Sequence, residues 1–217
     1  MAIDGPSGVG KSTTSRLVAQ RLAIPHIDTG AMYRAVALRV LDQRIDPADE
    51  VSVVNVASTV TIDFQRDDDE IRVVADGEDV SGKIRTPEVS MAASTVSAHP
   101  GVRRRLVAMQ QEIGKRSGGV LEGRDIGTKV FPETPHKFFL TASPDERARR
   151  RWLEMKEKGS DAELGVVLEE QKRRDLQDST RKDSPLTVND SYRVIDTTDK
   201  SIDEVVDLIV ESVRSKV

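Results

Sequence analysis

Gly5-Pro6-Ser7-Gly8-Val9-Gly10-Lys11-Ser12 follows a strand-like Met1 to Asp4 and opens a helix-like run from Lys11 to Ala23. A phosphate held at close range must be ringed by backbone N–H groups, and glycine is the residue whose backbone wraps that tightly. Gly5, Gly8 and Gly10 provide this freedom. Lys11 is then placed to reach the β- and γ-phosphates of a nucleoside triphosphate and Ser12 to offer its hydroxyl to Mg2+, while the positive end of the helix faces the anion. The spacing assigns ATP binding to Gly5, Pro6, Ser7, Gly8, Val9, Gly10, Lys11, Ser12 and Thr13, with Lys11 catalytic and Ser12 on the metal side.

Beyond the loop, apolar and polar segments alternate in a βα rhythm, the signature of a mostly parallel sheet flanked by helices. Further strand-like pieces are Val120 to Glu122, Lys137 to Ala142 and Arg193 to Asp196. Helix-like runs are Ala31 to Gln43, Val102 to Lys115, Pro144 to Lys158, Ala162 to Gln177 and Ile202 to Val213. The rhythm breaks once. Thr61 to Phe64 and Glu70 to Ala75 alternate apolar and polar residues around an acidic turn, Asp67-Asp68-Asp69, and Asp76-Gly77 offers a second turn before helix-like Pro87 to Ser97. The expected fold is α/β, of the P-loop NTPase type, with a small antiparallel β insert. Residues 1–60 and 98–217 form the expected core and 61–97 the insert.

The bulk composition removes other classes. A chain of 217 residues suits one domain with a modest insertion. It contains no cysteine, which excludes disulfides, thiolate catalysis and cysteine-rich zinc sites. His26, His99 and His136 are too dispersed for a zinc signature, and aromatics are so few that aliphatic side chains must fill the core. No apolar run reaches membrane-spanning length and no signal peptide is apparent, so a cytoplasmic location is expected. A net charge of −4 argues against general nucleic-acid binding, and a monomer is the default expectation.

The loop alone suits GTPases, ATPases and small-molecule kinases. A GTPase needs an N-K-x-D guanine-reading motif, and no Asn-Lys pair occurs in the chain. Arg- and Asp-bearing segments recur near strand ends, where ligands bind in open α/β sheets. They are Asp28-Thr29-Gly30-Ala31-Met32-Tyr33-Arg34, Ile84-Arg85-Thr86-Pro87-Glu88-Val89 through Ser94 with Arg103 beyond, Glu122-Gly123-Arg124-Asp125-Ile126-Gly127-Thr128, and Arg174-Asp175-Leu176-Gln177-Asp178-Ser179-Thr180-Arg181. Read blandly, Arg124 and Asp125 are a surface ion pair, while Arg174, Asp178 and Arg181, four and three apart, are an exposed helical ladder. Tyr33 is equally readable as a packing residue and Arg85 as a solvated one.

Together with the glycine loop, these four motifs resemble the bacterial cytidylate kinases, within the nucleoside monophosphate kinases, from end to end. The resemblance implies transfer of the ATP γ-phosphate to CMP or dCMP with Mg2+, and makes 61–97 the monophosphate-binding domain. It implies cytosine contacts by Ser94, Arg103, Asp125 and Arg181, ribose contacts by Arg174 and Asp178 with Thr29 nearby, and monophosphate contacts by Arg34 and Arg124. Tyr33 and Arg85 are added to this CMP-binding set. The family often has serine where Thr29 stands, and the hydroxyl is retained.

The resemblance also marks a lid at about 147–165, running through Lys158-Gly159-Ser160. In the dense run Glu146-Arg147-Ala148-Arg149-Arg150-Arg151-Trp152, Arg147 shares a helix face with Arg150 and Arg151, and Arg147 or Arg151 is expected on the ATP phosphates. Cytosine presents an N4 donor beside N3 and O2 acceptors, so a reader needs a carboxylate and arginine donors, which Asp125, Arg103 and Arg181 supply. A monophosphate is already an anionic nucleophile, so no general base is required. Lys11, Arg124, Arg147 and Arg151 neutralise charge, and Asp125 serves specificity first.

Overall fold

A computed structural model describes residues 1–67, 70–157 and 159–215. Asp68 and Asp69 of the expected acidic turn, and Lys158 of the expected lid, lie outside the described residues. By backbone contacts the chain divides into two compact units, one of residues 1–26 with 118–217 and the other of residues 27–117.

The first unit carries the parallel sheet. The strands run β2 (His26–Asp28), β6 (Val120–Gly123), β1 (Ala2–Asp4), β7 (Lys137–Thr141), β8 (Arg193–Asp196), in that spatial order, and all lie in this unit except the last two residues of β2. β1 pairs in parallel with both β6 and β7, placing Asp4 opposite Gly123 on one side and Phe139 on the other. The phosphate loop thus leaves the central strand of five. Helices α1 (Lys11–Leu22) and α8 (Ile202–Arg214) cover one side of this sheet's core, in which Ile3, Val18, Val120, Leu140, Ile195, Val206 and Ile209 pack with Phe138 as the lone aromatic. α8 starts in a capping box, Ser201 with Glu204, and buries Val205, Val206, Ile209 and Val210 at helical spacing. α6 (Pro144–Glu157) and α7 (Leu164–Thr180) pack on each other between β7 and β8 in sequence.

After β6 the backbone makes a turn not expected from sequence. Residues Ile126–Val130 form a wide helical turn, with the N–H of Val130 bonding Asp125 O and that of Phe131 bonding Ile126 O, each five residues back.

The second unit opens with α2 (Thr29–Asp42), whose first turn is capped by the Asp28 carboxylate accepting from Ala31 N at 3.1 Å. α3 (Glu50–Thr59), capped by Asp49, precedes the antiparallel sheet. In that sheet β3 (Ile62–Asp67) pairs with β4 (Glu70–Ala75), and β4 with β5 (Glu78–Asp79). Asp76 and Gly77 join the last two with φ of 52° and 82°, the double positive φ of a type I′ hairpin. A short turn at Lys83–Arg85 leads to α4 (Pro87–Val96), started by the Thr86 cap and an N-terminal proline, and then to α5 (Pro100–Ser117).

The mostly parallel sheet and the antiparallel insert agree with expectation. Elements beyond it are β2, three residues long, the short turn at Lys83–Arg85, the wide turn at Ile126–Val130, and α3, which buries Val53, Val56 and Ala57 on one helical face.

Candidate active site

In the first unit, Gly5 emerges from β1 against β7 so closely that a Cβ there would lie 2.2 Å from Leu140 O, a backbone atom that has nowhere to go. Gly10 takes φ of 86° at the helix start, and the loop closes onto α1. Lys11 is buried and its ammonium folds back to donate to Pro6 O at 2.5 Å. Burial holds its pKa well below the usual lysine range. The Arg124 charge pushes the same way, with Arg174 adding to it, while Glu122 and Asp178 pull back. The loop's cation therefore already feels the residues at the end of β6 and on α7.

Ser12 donates its hydroxyl to Glu122 Oε2 at 3.0 Å, and the other oxygen of Glu122 pairs with His26 Nε2 at 3.1 Å. Glu122 heads one of the motifs quoted from the sequence but has no role assigned to it there. Its signal is positional: it is the acid at the carboxyl end of β6, opposite Ile3 on the strand that feeds the loop. Ser12 and Glu122 supply two hard oxygens, the kind and number of protein ligands Mg2+ uses when phosphates and water complete its shell.

Arg124 and Asp125 are not a surface pair. Arg124 Nε donates to Asp178 Oδ2 at 2.9 Å, and Asp125 Oδ1 lies 3.8 Å from Arg181 Nη2, with both of the latter side chains almost wholly buried. Arg181 also reaches Asp178 Oδ1 at 3.4 Å and Ser184 O at 2.7 Å. Burial would raise the Asp178 pKa, but the charges of Arg124, Arg174 and Arg181 outweigh it and hold the carboxyl below its usual value. So α7 turns Asp178 inward with Arg174 half-buried beside it, and Arg181, one residue past the helix end, packs its buried side chain on the same carboxylate.

The arginine-rich helix α6 divides its labour. Arg147 is buried, donating to Ala142 O at 3.1 Å, Ser7 O at 3.3 Å and Asp175 Oδ2 at 2.6 Å. It braces the phosphate loop from behind. Arg150, expected on the same face, instead caps the end of β8 through Thr197 O at 2.6 Å and Thr198 O at 3.2 Å, and Thr197 Oγ1 donates on to Val9 O at 3.3 Å. Arg151 is more exposed and pairs within its helix with Glu154 Oε2 at 2.9 Å.

The second unit holds the other expected residues. Thr29 is buried at the head of α2, and Arg34 Nη2 donates to Asp28 Oδ2 at 2.5 Å, so the helix cap also orients the arginine. Arg103 is fully buried, its guanidinium 5.3 Å from the Tyr33 ring centroid and donating to Ser97 O at 3.2 Å. Ser94 is half-buried on α4, while Arg85 is exposed at the end of the short turn.

Comparison with known proteins agrees with this arrangement. A family model described as cytidylate kinase matches residues 1–215. A cytidylate kinase of Caldicellulosiruptor bescii is 51% identical over 211 residues, 97% of this chain and 93% of that protein. One of Caldanaerobacter subterraneus is 49% identical over 216 residues, 99% of this chain and 94% of that protein. Among solved structures, an uncharacterized protein from Eubacterium ventriosum superposes with a TM-score of 0.56 over 99% of this chain and 97% of its own, at 15% identity, a likeness of fold alone. A complete phosphate loop, the charged end of β6 and a full-length family match lead to one conclusion: the chain belongs to the cytidylate kinase family.

Proposed function

We propose that the protein transfers the γ-phosphate of ATP to CMP or dCMP, giving ADP and CDP or dCDP. The observation that carries this reading is the pairing of Arg124 Nε with Asp178 Oδ2 at 2.9 Å after β6, the strand beside the one that feeds the phosphate loop, with the Arg124 charge acting on Lys11. Donor phosphates and an acceptor phosphate both need that concentration of positive charge, and an in-line transfer needs them close together.

Gly5 to Thr13 bind the ATP phosphates, and Lys11 exchanges Pro6 O for phosphate oxygens. Ser12 and Glu122 would hold Mg2+, which when bound would supply positive charge to the phosphate oxygens. Arg124 and Arg34 take the acceptor monophosphate. Asp178 and Arg174, with Thr29 nearby, take the ribose. Asp125 with Arg181, Arg103 and Ser94 reads cytosine, Tyr33 supports Arg103, and Arg85 approaches the acceptor from the insert. The acceptor phosphate is its own nucleophile, so the side chains position, neutralise and exclude water rather than remove a proton.

UMP offers an oxygen where CMP offers the N4 amino group. That oxygen would face the Asp125 carboxylate and leave it buried without its donor, a penalty of about 1–3 kcal/mol against UMP. Residues 147–165 serve as the lid, with Arg151 swinging from Glu154 toward the phosphates and Arg147 staying on the loop. Residues 61–97 serve as the monophosphate-binding insert on the core of 1–60 and 98–217. The protein acts as a cytoplasmic monomer and takes no nucleic acid as partner. Among the described residues no helix is long and apolar enough to cross a membrane.

A coupled assay of ADP release with CMP, dCMP, UMP, GMP and shikimate tests the reading. CMP and dCMP should lead, and faster turnover of GMP or shikimate would refute it.

A further inference from the structure

Asp4 is the last residue of β1, directly before the phosphate loop, and its side chain is wholly buried. Its two oxygens accept three hydrogen bonds. Oδ1 takes the backbone N–H of Ile126 at 2.9 Å, and Oδ2 takes both the backbone N–H of Gly127 at 2.9 Å and the Tyr192 hydroxyl at 2.7 Å. Ile126 and Gly127 begin the wide turn that starts immediately after Asp125, and Tyr192 comes from the segment just before β8. A buried carboxyl is retained only where its partners need it, and an apolar residue here would strand two backbone N–H groups.

Gly127 explains how the tyrosine arrives. A Cβ at that position would come within 2.6 Å of the Tyr192 hydroxyl and 2.9 Å of the ring carbon bearing it. The backbone of the turn is bare where Tyr192 passes it to reach Asp4. Asp125 caps the turn, its carbonyl accepting from Lys129 N at 2.8 Å and Val130 N at 3.2 Å, and its φ of −145° and ψ of 22° leave the helical range there, so the orientation of its side chain is set by where the turn begins. That beginning is pinned by Asp4.

We propose that Asp4 is a positioning residue for the acceptor base. It ties the strand that feeds the phosphate loop to the turn that aims Asp125, and Tyr192 holds Asp4 in the required orientation. The inference rests on the reading of Asp125 as a cytosine contact. Burial pushes the Asp4 carboxyl up to about 6 against the pull of its three donors, and the neighbouring Asp125 charge adds to the rise.

The test compares Asp4→Asn, Tyr192→Phe and Asp125→Ala by kcat and by KM for CMP, UMP and ATP. Asparagine keeps the shape of Asp4 but must turn its amide NH2 toward one of the two backbone N–H groups. Asp4→Asn is expected to raise KM for CMP about tenfold with KM for ATP changed less than about twofold, and to narrow the preference for CMP over UMP. Tyr192→Phe, which keeps both backbone bonds, should shift the same quantities in the same direction by less. A selective effect of Asp125→Ala alongside an Asp4→Asn effect that falls equally on ATP and CMP overturns the Asp4 inference alone. A non-selective Asp125→Ala overturns the base-reading assignment and the inference with it. Should Asp4→Asn fail to fold, Tyr192→Phe decides: a CMP-selective shift supports the proposal, and unchanged selectivity overturns it.

Discussion

Ser12 Oγ and Glu122 Oε2 are 3.0 Å apart, joining the second residue of α1 to the end of β6 through the one hydroxyl a phosphate-loop metal would claim. A bound divalent cation would replace that hydrogen bond with a shared ion, at a carboxylate whose other oxygen His26 already holds.

Glu122→Gln keeps a hydrogen-bond acceptor for Ser12 and removes the charge. Loss of a supporting carboxylate at a metal site costs about 10- to 100-fold in metal affinity or activity. The variant should therefore need more free Mg2+ for half-maximal rate and recover part of its activity as Mg2+ is raised. A Mg2+ titration superposing on that of the parent protein would remove Glu122 from the metal shell.

Burial makes the charged form of Lys11 costly. Its pKa in the unfolded chain is the ordinary 10.5, and in the folded protein it lies well below that, first because of burial and next because of Arg124. Below the folded value both states are protonated, and the native state bears the whole penalty. As pH rises through the folded value the native ammonium releases its proton, and the penalty fades until it is gone above 10.5. Lys11→Met should thus stabilise the unliganded protein in urea denaturation at neutral pH, by a margin that shrinks as pH rises. Its transfer rate should drop about a hundredfold or more. A destabilised variant would contradict the strained ammonium.

Much of this site is legible in the sequence because its chemistry is local. The phosphate loop needs three glycines within six residues, and the Asp76-Gly77 hairpin turn needs two residues that accept positive φ, so both announce themselves. The buried state of Asp125, Asp178 and Arg181 is less legible, since i, i+3 and i, i+4 charges look the same on a solvated helix as in a network closed by a distant strand end. Glu122 and Asp4 are harder still. The partners of Glu122 lie 96 and 110 residues away and those of Asp4 between 122 and 188, so the pairing of β1 with β6 is what brings these acids into play. α3 escapes for another reason: Val51, Val53, Val54 and Val56 favour strand by propensity, and packing overrides that preference.

Arg147 and Arg151 are one helical turn apart and should separate cleanly on mutation. Arg147 bonds Ala142 O, Ser7 O and Asp175, so Arg147→Ala leaves buried acceptors unpaired and is expected to lower stability by about 3 kcal/mol along with activity. Among the described residues Arg151 is held by its partly exposed pair with Glu154, so Arg151→Ala should leave the melting temperature unchanged while lowering kcat. Thermal melts alongside kcat check both. Equal losses of stability in the two variants would contradict the division between a loop brace and a lid arginine.

Asp178 balances three arginines, and its replacement has two separable consequences. Without it Arg124 and Arg181 lose their shared partner in a mostly dry setting, so Asp178→Ala should cost about 3 kcal/mol or more at neutral pH. Because the arginines overcome the effect of burial and hold the carboxyl below 3.8, its contribution is complete above pH 3.8 and is lost only as pH falls through the lower folded value. The stability gap between parent and variant should accordingly be flat from pH 5 to 7 and close in stronger acid. The kinetic consequence falls on the sugar. If Asp178 accepts from the ribose 2′-hydroxyl, CMP loses a contact that dCMP never had, and the ratio of kcat/KM for the two acceptors should move toward dCMP in the variant. A ratio that stays fixed while stability falls as expected would leave Asp178 as the keeper of Arg124 and Arg181 and take it out of the ribose site.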